Sequence, residues 1–436
     1  MKATIAAALA LATFCTVARA AQADAMFRSD AAHTGAYASA APQLNHVRWR
    51  FRAKGAFISS PTVNGGSVYI GSDDGHIYAL KAADGALVWE QVTQGPVRST
   101  PAVANGLVFA SSLDGNVYAL EAANGEPVWH FTTGGERRFT APGIHGIIPK
   151  NELMADPFDI FISSPVVADG VVYVGSGDHD VYALDAATGA LKWKFATGDV
   201  VHASPAVANG TVYVGSWDRF FYALDAKTGA LRWKFETGDD RNIYNQVGIA
   251  SSAAVANGVV YFGCRDSKLY ALNATTGTLR WKHDEHGSWV VGAPAVKGGN
   301  VFFTTSDEKK FFALDAATGT EKFNQGYSAF SFSSPSLAGN EAYFGTFDGL
   351  LFEINTRTGA VDGQFATDGA RSKRAAHLDA KGAIDLNTFY ADDTYEGIVV
   401  GLSRIFELGS IPGSPAIANG TLFIGDTTGV LYAMGD

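Results

Sequence analysis

Six side chains of this sequence are of the types that bind ligands: Arg98, His202, Trp217, Arg241, Arg265 and Trp289. Guanidinium groups offer several N–H donors, imidazole titrates near neutral pH, and indole presents a flat apolar face with one N–H. Other clusters invite sharper chemistry. His283-Asp284-Glu285-His286 has the residue types of a metal site. No second cluster at metal-like spacing supports it, so it is read as a solvated loop and no metal is assigned. Asp392 and Asp393 with Glu396 could hold Ca2+, but nothing resembles an EF-hand loop and acidic turns are common. Arg371, Lys373 and Arg374 form a compact basic patch, suited to a protein contact, to a carboxylate or simply to solvent. C-x-x-C-H, a Gly-rich phosphate loop and a nucleophile elbow are all missing from the sequence, and no catalytic residue is nominated.

The elements that must position these residues are legible in residues 171–193, VVYVGSGDHDVYALDAATGALKW. Alternation of β-branched or aromatic with small residues over 171–176 and 180–186 is the period of strands, and Gly-Asp-His and Ala-Thr-Gly supply turns. The unit recurs. Aligned on the Ala of YAL, its copies fall at Ala79, Ala119, Ala183, Ala223, Ala271, Ala313, Glu353 and Ala433. The spacings are 40, 64, 40, 48, 42, 40 and 80, which is a period of 40 lengthened by insertions. Repeats of several short strands fit propeller blades, because one blade buries its faces only by stacking between neighbours.

Two copies carry a specific signature: Ala183-x-Asp185-x-x-Thr188-Gly189-x-x-x-Trp193 and Ala223-x-Asp225-x-x-Thr228-Gly229-x-x-x-Trp233. These resemble the tryptophan-docking motif of the quinoprotein-type (PQQ-like) propellers, a superfamily that includes pyrroloquinoline quinone (PQQ) dehydrogenases and BamB-like outer-membrane assembly proteins. The resemblance covers residues 47–436. It implies an all-β, eight-bladed β-propeller of four-stranded antiparallel blades. HVRWRF at 46–51 compares with ALRWKF at 230–235, and the final repeat stops before its own Trp strand, so the N-terminal strand is expected to close the ring. Trp49, Trp89, Trp129, Trp193, Trp233 and Trp281 then form a structural girdle, with Phe323 and Gly363 in the two remaining places.

In a four-stranded meander the blade-to-blade connection and the turn between strands two and three lie at one end. The insertions, 133–161, 238–249, 283–290 and 362–411, all fall in such connections, so one face of the disc is built up and is the expected working face. The strand residues nearest the axis are mostly small, from Ser59 to Gly413, and Arg98 and His202 interrupt an apolar row one position earlier. Trp217, Arg265 and Trp289 are expected beside them, with Arg241 in an inserted loop. Substitution of Arg98, His202, Trp217 or Arg241 is expected to impair binding at modest cost in stability.

Residues 1–20 read as a signal peptide: Lys2, a short apolar run and Ala18-Arg19-Ala20, with cleavage expected after Ala20 or Ala23. The run is too short for a transmembrane anchor, so a periplasmic or secreted protein is expected. Thr13-Phe14 before Cys15 do not suit a lipidation site. With Cys15 removed only Cys264 remains, which excludes an intrachain disulfide. Residues 21–46 are an Ala-rich extended lead-in. Net charge is −10, with no basic run, which disfavours nucleic acid as a partner. Two functions follow from the resemblance. One is an exported scaffold presenting its loop-rich face to a protein partner in cell-envelope or outer-membrane protein assembly, with or without a small molecule in the channel. The alternative is a quinoprotein dehydrogenase oxidising an alcohol or sugar with PQQ and Ca2+ in the funnel, although the vicinal Cys-Cys pair of many such enzymes has no match here.

Overall fold

Strands Val171–Gly175 and Asp180–Asp185 pair antiparallel, and Leu191–Ala196 adds outside them with a register slip between Ala183 and Leu184. With the short inner strand Val166–Ala168 they complete one blade. The computed structural model describes residues 25–239 and 247–435, and these form eight such four-stranded sheets. The expected signal peptide, Cys15 and Arg241 lie outside the described residues. Numbering blades from the first complete one, inner strands begin at Thr62, Ala102, Val166, Ala206, Ala254, Ala295, Ser336 and Ala416. The eighth blade takes its outer strand, Val47–Arg52, from the other end of the chain, with Trp49 opposite Ala433. The N-terminal strand therefore closes the ring.

The docking motif has a plain physical basis. Asp185 Oδ1 accepts the backbone N–H and hydroxyl of Thr188, which fixes the turn. The indole N–H of Trp193 donates to Ala226 O of the next blade at 3.0 Å, and Tyr173 OH donates to the same carbonyl at 3.0 Å. Gly229 lies against the ring: its φ is +72°, and a Cβ there would come within 2.7 Å of Trp193 Cδ2. Only glycine meets both demands. The bond repeats from Trp49, Trp89, Trp129, Trp233 and Trp281. Where Gly363 stands in the Trp place, Glu353 fills the space and Tyr343 OH turns to Pro42 O at 2.7 Å.

Two rings of bonds position the axis and the working face. At the face, Asp218 Oδ2 accepts Tyr222 OH and the backbone N–H of Gly198, tying the turn between strands two and three to the preceding blade-to-blade connection. At the axis, in seven of the eight blades the residue just before the inner Pro position carries a hydroxyl that accepts its neighbour's N–H. The N–H of Ser60 donates to Thr100, Thr100 to Ser164, Ser164 to Ser204, and Ser204 to Ser252. From blade 6 the relay resumes: Ala293 to Ser334, Ser334 to Ser414, Ser414 back to Ser60. It is broken only between Ser252 and Ala293, which has no hydroxyl.

The lead-in crosses the channel at the end bearing the short turns. Val103, Val207, Val255, Val296 and Leu337 of five inner strands donate backbone N–H groups to the carbonyls of Ala25, Ala31, Ala32, Thr34 and Gly35. Arg28, buried among them, donates to Pro335 O at 2.6 Å and Pro294 O at 3.1 Å. Phe27 faces the axial cavity from below. The segment is thus a plug held chiefly by its backbone.

Candidate functional site

On the opposite face the long connections carry structure of their own. The connection after blade 2 folds into a small hairpin, Thr140–Pro142 with Leu153–Ala155. The connection after blade 7 holds α1 (Asp368–Lys373) and α2 (Tyr395–Phe406). Thr394 caps α2 by accepting from Gly397 N, and Asp392 accepts from Thr394 N, so the acidic turn at 392–396 is a helix start. Ile148 bridges to Thr394, which joins the two insertions.

Three of the sequence-nominated side chains, Arg98, His202 and Arg265, bond to residues 156–160 of the first insertion, and Trp217 packs on it elsewhere. Arg98 makes two 2.8 Å bonds to Asp73 and a third, at 3.2 Å, to Ile160 O. His202 Nδ1 lies 2.7 Å from Asp159, and its Nε2 lies 3.4 Å from Glu136. Burial opposes its charge, but the two carboxylates prevail and hold the imidazolium up to about 10. Arg265 donates to Asp156. Its guanidinium is sandwiched between Trp217, at 4.4 Å, and Trp289, at 4.2 Å. Burial would raise the Asp156 carboxyl, yet Arg265 and His145, at 2.8 Å, hold it well below the usual carboxylate range. Trp217 also stacks on Phe139 with centroids 4.4 Å apart.

Arg98 and His202 line an axial cavity of about 50 Å³, and Trp217, Arg265 and Trp289 form one off-axis stack. The expectation of modest stability cost at Trp217 and His202 is corrected: Trp217 is 1% exposed and His202 4%, so both belong to the packing. Sequence reading missed Glu136, His145, Asp156 and Asp159, because an aperiodic loop gives no register from which to place them.

The other clusters also find internal partners. His283 and Asp284 end an outer strand and Glu285 is 2% exposed, so the solvated-loop reading of 283–286 holds for the exposed Asp284 and His286 and fails for Glu285. Burial first, then Glu308 and other acids, push the Glu285 carboxyl up to about 8. Lys373 pairs with Glu407, and Arg374 with the buried Asp348, at 2.8 and 2.7 Å. Arg371 lies over Phe365. Cys264 is fully buried, which pushes its thiol well up.

A quinone held on Ca2+ needs oxygen donors converging on one point. Asp156 and Asp159, the buried carboxylates of the mouth, are already engaged by Arg265, His145 and His202. Among the described residues no three His, Cys, Asp or Glu side chains converge to hold a metal ion. The described residues therefore do not fit that group.

With eight blades, six of them docked by a tryptophan, and a built-up face, the chain is a PQQ-like propeller. The family model described as outer membrane protein assembly factor BamB matches residues 39–144, 150–284 and 245–434, and the chain belongs to that family. No curated protein matches it significantly. Among solved structures it is similar to BamB from Moraxella catarrhalis, at 15% identity over 89% of this chain and 96% of that one, with a TM-score of 0.63. A europium-containing methanol dehydrogenase shares 15% identity over 94% and 98%, with a TM-score of 0.66. A quinohemoprotein alcohol dehydrogenase from Comamonas testosteroni shares 14% over 94% and 80%, with a TM-score of 0.67. Identities this low carry the fold and no chemistry.

Proposed function

We propose that this protein is an exported binding scaffold that offers its insertion face to a protein partner in the cell envelope, in outer-membrane protein assembly. Membership of the BamB family supports the setting. The observation that carries the reading is an apolar surface on the two bridged insertions. Ile148 is 53% exposed and Leu153 73%, while Val399 and Val400 of α2 are 39% and 37% exposed. Exposed apolar side chains on long loops of a rigid scaffold mark an interaction site, whereas the other exposed ones, such as Leu191, Leu231 and Leu279, recur along the outer strands of successive blades. No described helix is long and apolar enough to cross a membrane. In this reading residues 1–20 direct export and are removed, and the dehydrogenase alternative is set aside because the donor set does not fit.

A photo-crosslinking residue placed at Leu153 or Val399 should capture one and the same envelope protein in intact cells, and one at Leu231 on an outer strand should not. Leu153→Asp should abolish capture with an unchanged melting temperature. Equal capture from all three positions would overturn the proposal.

A further inference from the structure

Off the axis, the two insertions and the connections around blades 6 and 7 enclose a second cavity, of about 250 Å³. This is close to the lower end of ligand pockets, about 300 Å³. Its walls are aromatic. Phe158 presents its ring edge-on to Trp289, Phe330 and Phe332, at 6.1, 6.4 and 6.4 Å, and Tyr390 closes another side.

Two polar groups in this lining lack a protein counterpart, Asp307 at the exposed rim and Trp289 inside. Asp307 accepts one hydroxyl bond from Ser306 at 2.5 Å, and no basic side chain among the described residues pairs with it. The indole N–H of Trp289 is buried without an acceptor. Arg265, on Trp289, and His145, in the lining itself, both bond to the Asp156 carboxylate.

An aromatic cup beside an unpaired carboxylate attracts cations, because ring faces carry partial negative charge. We infer that this pocket binds a small organic ammonium ion, its alkylated nitrogen among the rings near Asp307 and an acceptor atom toward Trp289 Nε1. Neutral apolar ligands would satisfy the rings and leave Asp307 unpaired. The inference does not depend on the protein partner proposed above, and either can fail alone.

The test uses benzyltrimethylammonium and its neutral isostere neopentylbenzene, titrated into the full mature chain and followed by tryptophan fluorescence and calorimetry. The cation should bind at least tenfold more tightly than the isostere. Asp307→Asn, an exposed change that should leave the melting temperature unaltered, should weaken the cation about fivefold and leave the isostere unaffected. Phe330→Leu should weaken both. Equal or tighter binding of the isostere, insensitivity to Asp307→Asn, or no binding of the cation would each overturn the inference.

Discussion

His202 Nδ1 lies 2.7 Å from Asp159 Oδ1, a buried ion pair that fastens an inserted loop to the rim of the channel. Removing one partner of such a pair strands the other. His202→Ala leaves both Asp159 and Glu136 without their cation and should cost about 3–5 kcal/mol. Because the folded imidazolium is held up to about 10, its contribution is complete below the unfolded value of 6.5 and is lost as pH rises through about 10. Melting temperatures from pH 8 to 10.5, above the Glu285 window, should fall more steeply in the parent chain than in His202→Gln.

Glu285 gives a slope of the same sign in a lower window. Its carboxyl is raised from 4.5 to about 8, so the folded state keeps a proton that the unfolded chain has released. Stability should fall between those values as pH rises. His283, 3.3 Å away, does not relieve the charge, since burial lowers its own protonation. Glu285→Gln should be more stable than the parent at pH 8 and equal to it at pH 4.5, as read by urea titration.

The axial hydroxyl relay invites completion. Ala293→Ser should give Ser252 N–H an acceptor and stabilise the ring by about 0.5–1.5 kcal/mol, the usual worth of a hydrogen bond. A destabilised variant would show that the position is too tight for the oxygen.

Trp193→Ala removes a buried indole, its bond to Ala226 and the surface against which Gly229 packs. The cost should be about 3–5 kcal/mol, with ligand and partner capture lost only as folding is lost. Trp193→Phe should recover part of the packing and none of the bond, which chemical denaturation of the two variants resolves.

The fold was legible because its determinants are local and repeated. Asp185, Thr188, Gly189 and Trp193 act within one turn and the adjoining blade, so their spacing survives in the sequence. The mouth is different: Asp159 meets His202 across 43 positions and Asp156 meets Arg265 across 109, from a loop with no period. Arg98, His202, Trp217, Arg265 and Trp289 could be nominated by type, but their partners could not. Residues 25–37 were opaque for another reason. They hold the channel through carbonyl oxygens, which every residue has, so Ala-rich sequence says nothing about the contact.

Ring closure also sets a timetable for biosynthesis. The strand Val47–Arg52 is made early, yet Arg48 bonds Thr421 across 373 positions. Successive blades can stack as they emerge, but the early strand waits for Val430–Met434, the strand it pairs with in the sheet. Contacts this distant in sequence form late, because a long loop must close first. A stalled or clipped chain thus keeps an open strand edge that chaperones and proteases can recognise, and a finished one conceals it. Closure acts as a built-in proofreading step for chain length.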